Sequence, residues 1–345
     1  MKFGILDFPT ESSVETEVLG PGAQITCYGA SHERDLPDDI AELIAVMVWH
    51  NIYVSAQTLH RLDQCRVISR IGVGFDSVDY RLAGELGIPV VNVPDYGTNE
   101  VANHAFALLL AANRKLNLYQ DRIRQDPAAN WRPTAVGEIH RLRNAVLGIV
   151  GLGRIGTAVA MRARAFGMRV AYYDPYLPDG YDKAYQVQRV ETLEELVGMS
   201  DFLSVHAPLT SETDGLVDAA LLAHAKPGMT LVNTARGPIV ALDAVYESLK
   251  RGHLGVFAAD VLPGETPDPN HPLIVAYTER ESWLDGRLLL TPHAAFYSVE
   301  SFREMRTKAA LQMKRAAEGI PLRNCVNAAY LKNPRTPVAL ASPPD

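Results

Sequence analysis

The sequence predicts an α/β protein built from two doubly wound parallel sheets, one domain inserted into the other, and three observations carry that expectation. Short apolar runs alternate with helical patterns along nearly the whole chain, as parallel strands covered by helices require. A glycine-rich strand-to-helix turn lies at 145–174, in the middle of the chain rather than at its start. An amphipathic pattern from Val299 to Gly319 follows the last strand-like runs, and a helix there is expected to return to the first domain and make it discontinuous. At 345 residues the chain exceeds what one hydrophobic core usually serves. The expected division is 1–112 with 298–330 as the discontinuous domain, 113–297 as the inserted one, and 333–345, with its four prolines, as a disordered tail.

In the first domain the strand-like runs are Lys2 to Leu6, Gln24 to Cys27, Ala45 to Trp49, Arg66 to Arg70 and Val90 to Val93, with helical patterns at Ser55 to Leu62 and Ser77 to Leu86. Ligands of such sheets bind beyond the carboxyl ends of the strands. His50 follows one such end, and the run Arg70-Ile71-Gly72-Val73-Gly74 follows the next. Gly72 and Gly74 expose backbone N–H groups suited to an anion, and Arg70 has the fork to grip a carboxylate. A plain glycine turn with a surface arginine, and a structural histidine, are the competing readings of these residues. Val93 to Asn99 is turn chemistry, and an apolar face from Ala102 to Leu116 then predicts one long helix from Glu100 to about Arg124, crossing between the domains. Residues 125–143 are polar and rich in Arg and Pro, which suits an arm, with Trp131 a candidate for a subunit contact.

The inserted domain opens on Ala145 to Val150, an apolar run of the kind buried on both faces of a sheet. Gly151, Gly153 and Gly156 follow at G-x-G-x-x-G spacing, and Ile155, Val159, Ala163 and Phe166 recur at helical intervals up to Gly167. Gly151 allows the tight turn, Gly153 lets a pyrophosphate approach the backbone, and Gly156 lets the helix pack close, while the helix start through Arg154 and Ile155 offers N–H groups. The next strand, Arg169 to Tyr173, ends at Asp174, 18 residues beyond Gly156, where an acceptor for ribose hydroxyls belongs. Strand, glycine turn, helix, second strand and terminal acid together specify a Rossmann dinucleotide unit. Thr192 and Glu195 have capping-box spacing for a short helix, and helical patterns run from Asp218 to His224 and Asp243 to Lys250. Strands at Asp201 to Val205, Thr230 to Val232, Gly255 to Ala258 and Leu288 to Leu290 end in His206-Ala207, Thr234-Ala235-Arg236, Asp260 and Thr291-Pro292-His293. In a doubly wound sheet these ends converge on one crevice.

Arg236, Glu265 and His293 are what hydride chemistry on a 2-hydroxy or 2-oxo acid needs from a protein. The cofactor carries the hydride, so the chain must supply an acid/base, a cation for the carboxylate, and orientation. Histidine, with a reference pKa of ~6.5, suits the first role. A carboxylate on its other nitrogen fixes the tautomer, and arginine matches a carboxylate with forked donors. Taken singly, each has an ordinary reading as a turn residue, a loop acid or a strand-end histidine.

Composition narrows the classes. Apolar residues make up 47% and charged residues 21%, as in an ordinary globular protein, and the net charge of −7 without a long basic run argues against nucleic acid as a partner. No run reaches the 18 or so apolar residues of a membrane span, and the N-terminus shows no export signal, so a cytoplasmic location is expected. Three widely spaced cysteines suit buried free thiols in a reducing compartment, and no metal-ligand spacing is present.

Through GLGRIG, HAPLT, LVNTARG, AADV, GE and TPH, over nearly its full length, the chain resembles the D-isomer-specific 2-hydroxyacid dehydrogenases. Within them it is most similar to the C-terminal-binding-protein branch, through RIGVGFDSVD, YYDPYLPDG, TPHAAFYS, EMR and NCVN. The resemblance implies a flavodoxin-like substrate domain beside the Rossmann domain, NAD as cofactor, and Arg236, Glu265 and His293 as the catalytic trio. It implies Asp174 on the adenosine ribose, Asp260 on the nicotinamide carboxamide, and Thr98 and Thr234 along the cofactor. It assigns the substrate carboxylate to Arg70 and the backbone around Val73 and Gly74, while His50 is a substrate-binding candidate from its place after a strand alone. It also implies a homodimer through the nucleotide domain, with 125–143 as the dimer arm. Two departures stand out: Phe296 occupies the position of a pocket-wall Trp in that branch, and Pro267 to Arg287 is longer and polar, which suggests a lid. The leading expectation is reduction of a 2-oxo acid to the D-2-hydroxy acid. Its competitors are an NAD-responsive corepressor-like scaffold, and a dehydrogenase specific for a phosphorylated or phosphonate acid.

Overall fold

The structure, a computed structural model, describes residues 1–339. Contacts divide the chain into two compact units, one formed by Met1–Gly97 with the segment from Ser298 onward, the other by Thr98–Tyr297.

The first unit holds five parallel strands, β1 (Lys2–Ile5), β2 (Gln24–Cys27), β3 (Ala45–Val48), β4 (Ile68–Arg70) and β5 (Val90–Val91), in the order β2-β1-β3-β4-β5. This is the flavodoxin-like order, whose reversal between β1 and β3 creates a crevice at their carboxyl ends. All four residues of β3 are buried, because helices cover the sheet on both faces. The helix Val299–Glu318 packs along β3 and β4, and Ser69 of β4 donates its hydroxyl to the Ala309 carbonyl at 3.0 Å. Arg306 of that helix is buried in a fork of Glu15 and Glu11, and the arginine holds the Glu11 carboxyl down at about 2.

The second unit holds seven parallel strands: β6 (Val146–Val150), β7 (Arg169–Tyr173), β8 (Gln188–Arg189), β9 (Phe202–Val205), β10 (Met229–Asn233), β11 (Leu254–Ala259) and β12 (Leu288–Leu290). Their order is β12-β11-β10-β9-β6-β7-β8, so the sheet reverses direction at β6. The pleat sorts its side chains between two cores. Val146 and Val150 join one face with Leu203, Leu231 and Phe257, while Leu147 and Ile149 join the other with Val159, Ala163 and Val232. Thr192 caps the helix Leu193–Met199 by accepting from the Glu195 amide at 3.1 Å, as its spacing foretells.

Four expectations need correction. The domain boundary lies at 97/98 rather than 112/113, because helix Thr98–Arg114 buries Ala102, Ala105, Phe106 and Leu109 in the second unit's core. The long helix expected to Arg124 is two, Thr98–Arg114 and Leu116–Gln125, broken where Lys115 takes a left-handed φ of 53°. Residues 333–339 are ordered despite their prolines. Arg335 donates to the carbonyls of Leu62, Asp63 and Cys65 at 2.8 to 3.0 Å, and Val338 bridges to Leu322. The remainder of the expected tail, 340–345, lies outside the described residues. Finally, the segment from Pro267 to Arg287 is no lid, since its helix Pro272–Thr278 sinks Leu273, Ile274 and Ala276 into the core beside helix Leu242–Lys250. Cys27, Cys65 and Cys325 are free thiols, and burial pushes Cys65 up to about 12. No helix among the described residues is long and apolar enough to cross a membrane.

Candidate active site

The second unit gathers its polar strand ends at the carboxyl edge of the sheet. After β6 the chain turns at Gly151, with φ of 87°, and enters the helix Arg154–Ala165 through Gly153. A side chain at Gly156 would stand 2.1 Å from the Gly151 carbonyl, so only glycine lets this helix start against the turn. At Gly153, by contrast, an added Cβ would meet nothing within 4 Å among the described residues, and none of their side chains caps the first-turn N–H groups that Arg154 and Ile155 begin. Open space over uncapped amides suits a pyrophosphate. Asp174, at the end of β7, accepts from the Leu152 amide at 3.0 Å and the Tyr176 amide at 3.1 Å, so its carboxylate is locked onto the glycine turn. At the end of β9, His206 and Ala207 press against Gly151, and the Ala207 amide nitrogen lies 3.0 Å from where a Cβ on Gly151 would stand. The His206 ring lies 2.8 Å from the Ser204 hydroxyl, and burial pushes it down to about 4, which keeps it uncharged in the crevice at neutral pH. At the end of β10, Thr234 is buried and its hydroxyl has no hydrogen-bond partner among the described residues. A buried orphan hydroxyl beside such a turn fits a site shaped for a polar ligand. Thr98 opens helix Thr98–Arg114, and the Ala235 amide donates to Asn233 at 3.0 Å, shaping the loop that leads to Arg236.

His293 and Glu265 meet in the same unit. Nδ1 of His293 lies 2.6 Å from Oε2 of Glu265, both side chains being partly exposed at 24% and 34%. With a carboxylate as acceptor, Nδ1 carries the hydrogen, and Nε2 is the ring atom left to exchange a proton. Both residues hold left-handed backbone, each with φ of 49°, a conformation that a non-glycine residue adopts at a cost of roughly 1–3 kcal/mol. Asp260 enforces it for His293. Only 2% exposed, it accepts from the Thr291 hydroxyl at 2.5 Å and the Ala294 amide with one oxygen, and from the Ala295 amide with the other, both amides at 2.9 Å. The Asp260 carbonyl also takes the His293 amide at 2.7 Å. Asp260 thus builds the turn that presents the imidazole, a role its place in the sequence did not disclose. His104, whose Nε2 lies 2.9 Å from the Thr291 hydroxyl, carries no signal in the sequence, being one of several polar residues in helix Thr98–Arg114. Arg236 is half-buried and donates to the Ala235 carbonyl at 2.8 Å. A Cβ on the following Gly237 would collide with the Leu262–Pro263 backbone, so the Arg236 loop lies against the loop that leads to Glu265. The Phe296 ring meets His293 edge-on, centroids 6.0 Å apart.

In the first unit the ends of β3 and β4 carry His50 and the Arg70 loop. Asp7, buried at the end of β1, accepts from the amides of Trp49 at 2.7 Å and Asn51 at 3.0 Å and so fixes the turn bearing His50. Burial raises the Asp7 carboxyl above its ordinary value, opposed by those amide bonds. The Trp49 indole, a donor only, points at Nε2 of His50 at 3.1 Å, so a neutral His50 carries its hydrogen on Nδ1. Arg70 is not the open fork that a surface arginine would be. It is 5% exposed, lies 5.9 Å over the Trp49 ring and donates to the Ile71 carbonyl, its guanidinium filling the space above Gly72. Val73 stands outward at 39% exposure, and its carbonyl is held by the Asn92 amide group at 2.6 Å.

The chain is similar to known proteins in sequence and fold. Residues 106–295, more than half of the chain, match the NAD binding domain of D-isomer specific 2-hydroxyacid dehydrogenases. C-terminal-binding protein 1 of Caenorhabditis elegans is 32% identical over 92% of this chain and 44% of its own length. D-3-phosphoglycerate dehydrogenase of Archaeoglobus fulgidus is 33% identical over 93% of this chain and 57% of its own. The chain therefore spans about half the length of the curated relatives it matches. The crystal structure of D-lactate dehydrogenase from Aquifex aeolicus, complexed with NAD and lactic acid, superposes with a TM-score of 0.78 at 27% identity, over 92% of this chain and 96% of that one. A glycine turn at the reversal of a seven-stranded parallel sheet and a match across the domain that contains it agree: the chain belongs to the D-isomer specific 2-hydroxyacid dehydrogenase family.

Proposed function

We propose that the protein is an NAD-dependent oxidoreductase that interconverts a 2-oxo acid and the D-2-hydroxy acid. The observation that carries this reading is the His293–Glu265 pair at 2.6 Å, presented by strained loops in the same domain as the glycine turn. When bound, the nicotinamide would supply the hydride. The chain's own work is then to hold the cofactor and move one proton. Gly151, Gly153, Arg154, Ile155 and Gly156 would receive the pyrophosphate, Asp174 the adenosine ribose, and Thr98, His206, Ala207, Thr234 and Ala235 would line its path. In reduction Nε2 of His293 gives its proton to the carbonyl oxygen, and Glu265 balances the charge of the imidazolium beforehand. Arg236 fixes the carboxylate and polarises the carbonyl. Substrate anchoring is assigned to the backbone of Val73 and Gly74, to Arg70 and to His50, and a pocket-wall role to Phe296. The Asp260 carboxylate already accepts from Thr291, Ala294 and Ala295 in the turn that follows β12, so its contact with the carboxamide adds to a structural role. A homodimer through the arm 125–143 is proposed with this function, on the 78% exposure of Trp131.

The decisive experiment follows NADH oxidation at 340 nm against glyoxylate, pyruvate, hydroxypyruvate, phenylpyruvate, 4-methylthio-2-oxobutyrate, and phosphorylated and phosphonate 2-oxo acids. Turnover of at least one is expected. Turnover confined to doubly anionic acids would assign a second anion subsite, and none across the panel would overturn the dehydrogenase reading. In that event the 32% identity to C-terminal-binding protein 1 favours a binding scaffold, recognisable by peptide capture that NADH strengthens and His293→Ala leaves unchanged.

Glu265→Gln is expected to lower kcat by about tenfold while leaving NADH binding within a few-fold of wild type. The substitution keeps an acceptor for Nδ1 but removes the negative charge that faces the ring in the proposed proton transfer. A kcat equal to the wild type would place Glu265 outside the proton-transfer path.

A further inference from the structure

We infer that Tyr176 and Glu212 form a clasp that retains the adenosine end of the dinucleotide, a reading that rests on the cofactor site proposed above. In the sheet, β6 lies between β7 and β9, and the glycine turn emerges from this central strand. Tyr176 sits just after β7 and Glu212 in the loop after β9, so a contact between them must cross the carboxyl end of β6. Two strand spacings, roughly 10 Å, separate their points of origin. A tyrosine side chain reaching toward a glutamate closes that gap, and here the Tyr176 hydroxyl donates to Oε2 of Glu212.

Both ends of the bridge are anchored. The Tyr176 amide donates to Asp174 at 3.1 Å, so the turn that carries the ribose acceptor carries the clasp as well. On the other side the Thr213 hydroxyl donates to the Pro208 carbonyl at 2.6 Å and accepts from the Thr210 amide at 2.8 Å, while the Asp214 amide returns to the Thr210 carbonyl at 3.0 Å. Glu212 therefore projects from a closed turn rather than a free loop. The facing carboxylate also raises the Tyr176 phenol above its ordinary range, which keeps the donor hydrogen in place at working pH. Tyr176 is 74% exposed, so core packing does not account for its position.

By microscopic reversibility a contact laid across the mouth of the crevice opposes exit more than entry only where it closes more firmly over the bound dinucleotide, and that is the clasp inferred here. The expected result is a faster release of NADH with little change in its capture. Stopped-flow fluorescence of NADH would give both rate constants for wild type, Tyr176→Phe, Glu212→Ala and the double variant. Each single variant is expected to raise the dissociation rate roughly fivefold, the size appropriate to one charge-assisted hydrogen bond at the surface. The double variant should release NADH no faster than either single one, since each removes the same bond, and Glu212→Gln, which keeps an acceptor, should fall between Glu212→Ala and wild type. Dissociation rates equal to wild type, additive effects, or a change confined to association would overturn the clasp while leaving the cofactor site intact. A wild-type protein that gave no NADH signal at all would overturn both.

Discussion

Replacing His293 with alanine should lower kcat by roughly 10²- to 10⁴-fold, the range that a positioned general acid contributes. The loss expected is one of proton transfer, the role proposed above for this ring. Its Nδ1 is committed to Glu265 at 2.6 Å, which leaves Nε2 to face the chemistry, and its backbone is held by the Asp260 carbonyl and the 291–295 turn regardless of the side chain. Alanine at a φ of 49° adds a small strain, but the bonds to Asp260 that fix the turn come from backbone amides and Thr291 and survive the substitution. NADH binding by the variant, read by fluorescence titration, is expected within a few-fold of wild type, and kcat and kcat/KM should fall together. A variant that kept wild-type kcat would remove His293 from the mechanism. One that lost NADH binding in proportion to its activity would show that the ring holds the cofactor instead.

The parts of the fold legible in the sequence are those in which local pattern and tertiary demand coincide. The run from Ala145 to Val150 reads as a doubly buried strand because all five residues of β6 lie under helices, and the Thr192 cap is visible because its partner is three residues away. β8 went unseen because two polar residues at a sheet edge carry no hydrophobic signal. The break at Lys115 has no composition cue either: leucines continue through it, and only the left-handed residue separates the helices. The domain boundary was misplaced for a related reason, since the apolar stripe of Thr98–Arg114 announces a buried helix without saying which core buries it. At the site, the glycine turn and the residues after each strand could be found by spacing alone. Asp7 and Asp260 could not be assigned their work from spacing, because their partners are backbone amides of turns whose course exists only in the folded chain.

NADH should be preferred over NADPH by more than tenfold in kcat/KM, with Asp174 as the cause. Its carboxylate is not a mobile surface acid: the amides of Leu152 and Tyr176 hold one oxygen each at 3.0 and 3.1 Å, which fixes the charge beside the glycine turn. Ribose hydroxyls can donate to such an acceptor, whereas a 2′-phosphate would set like charges about 4 Å apart, at roughly 4 kcal/mol per pair for an effective dielectric of ~20. Solvent at the partly exposed site screens part of this, and half of it still corresponds to more than tenfold, at ~1.4 kcal/mol per factor of ten. No cation in the following residues relieves the repulsion, since Pro175, Tyr176 and Leu177 come next, and Arg189 is engaged with the Leu177 carbonyl and Asp179. The clasp adds a second carboxylate, Glu212, on the far side of Tyr176. Asp174→Ala should therefore lose affinity for NADH and most of the discrimination together, while Asp174→Asn, which removes the charge but keeps an acceptor, should lose discrimination with a smaller loss of NADH affinity. Comparing kcat/KM for both cofactors in the three proteins separates charge from hydrogen bonding. Equal use of NADH and NADPH by the wild type, or undiminished preference in both variants, would take Asp174 off the ribose and leave the basis of cofactor choice to the other residues around the glycine turn.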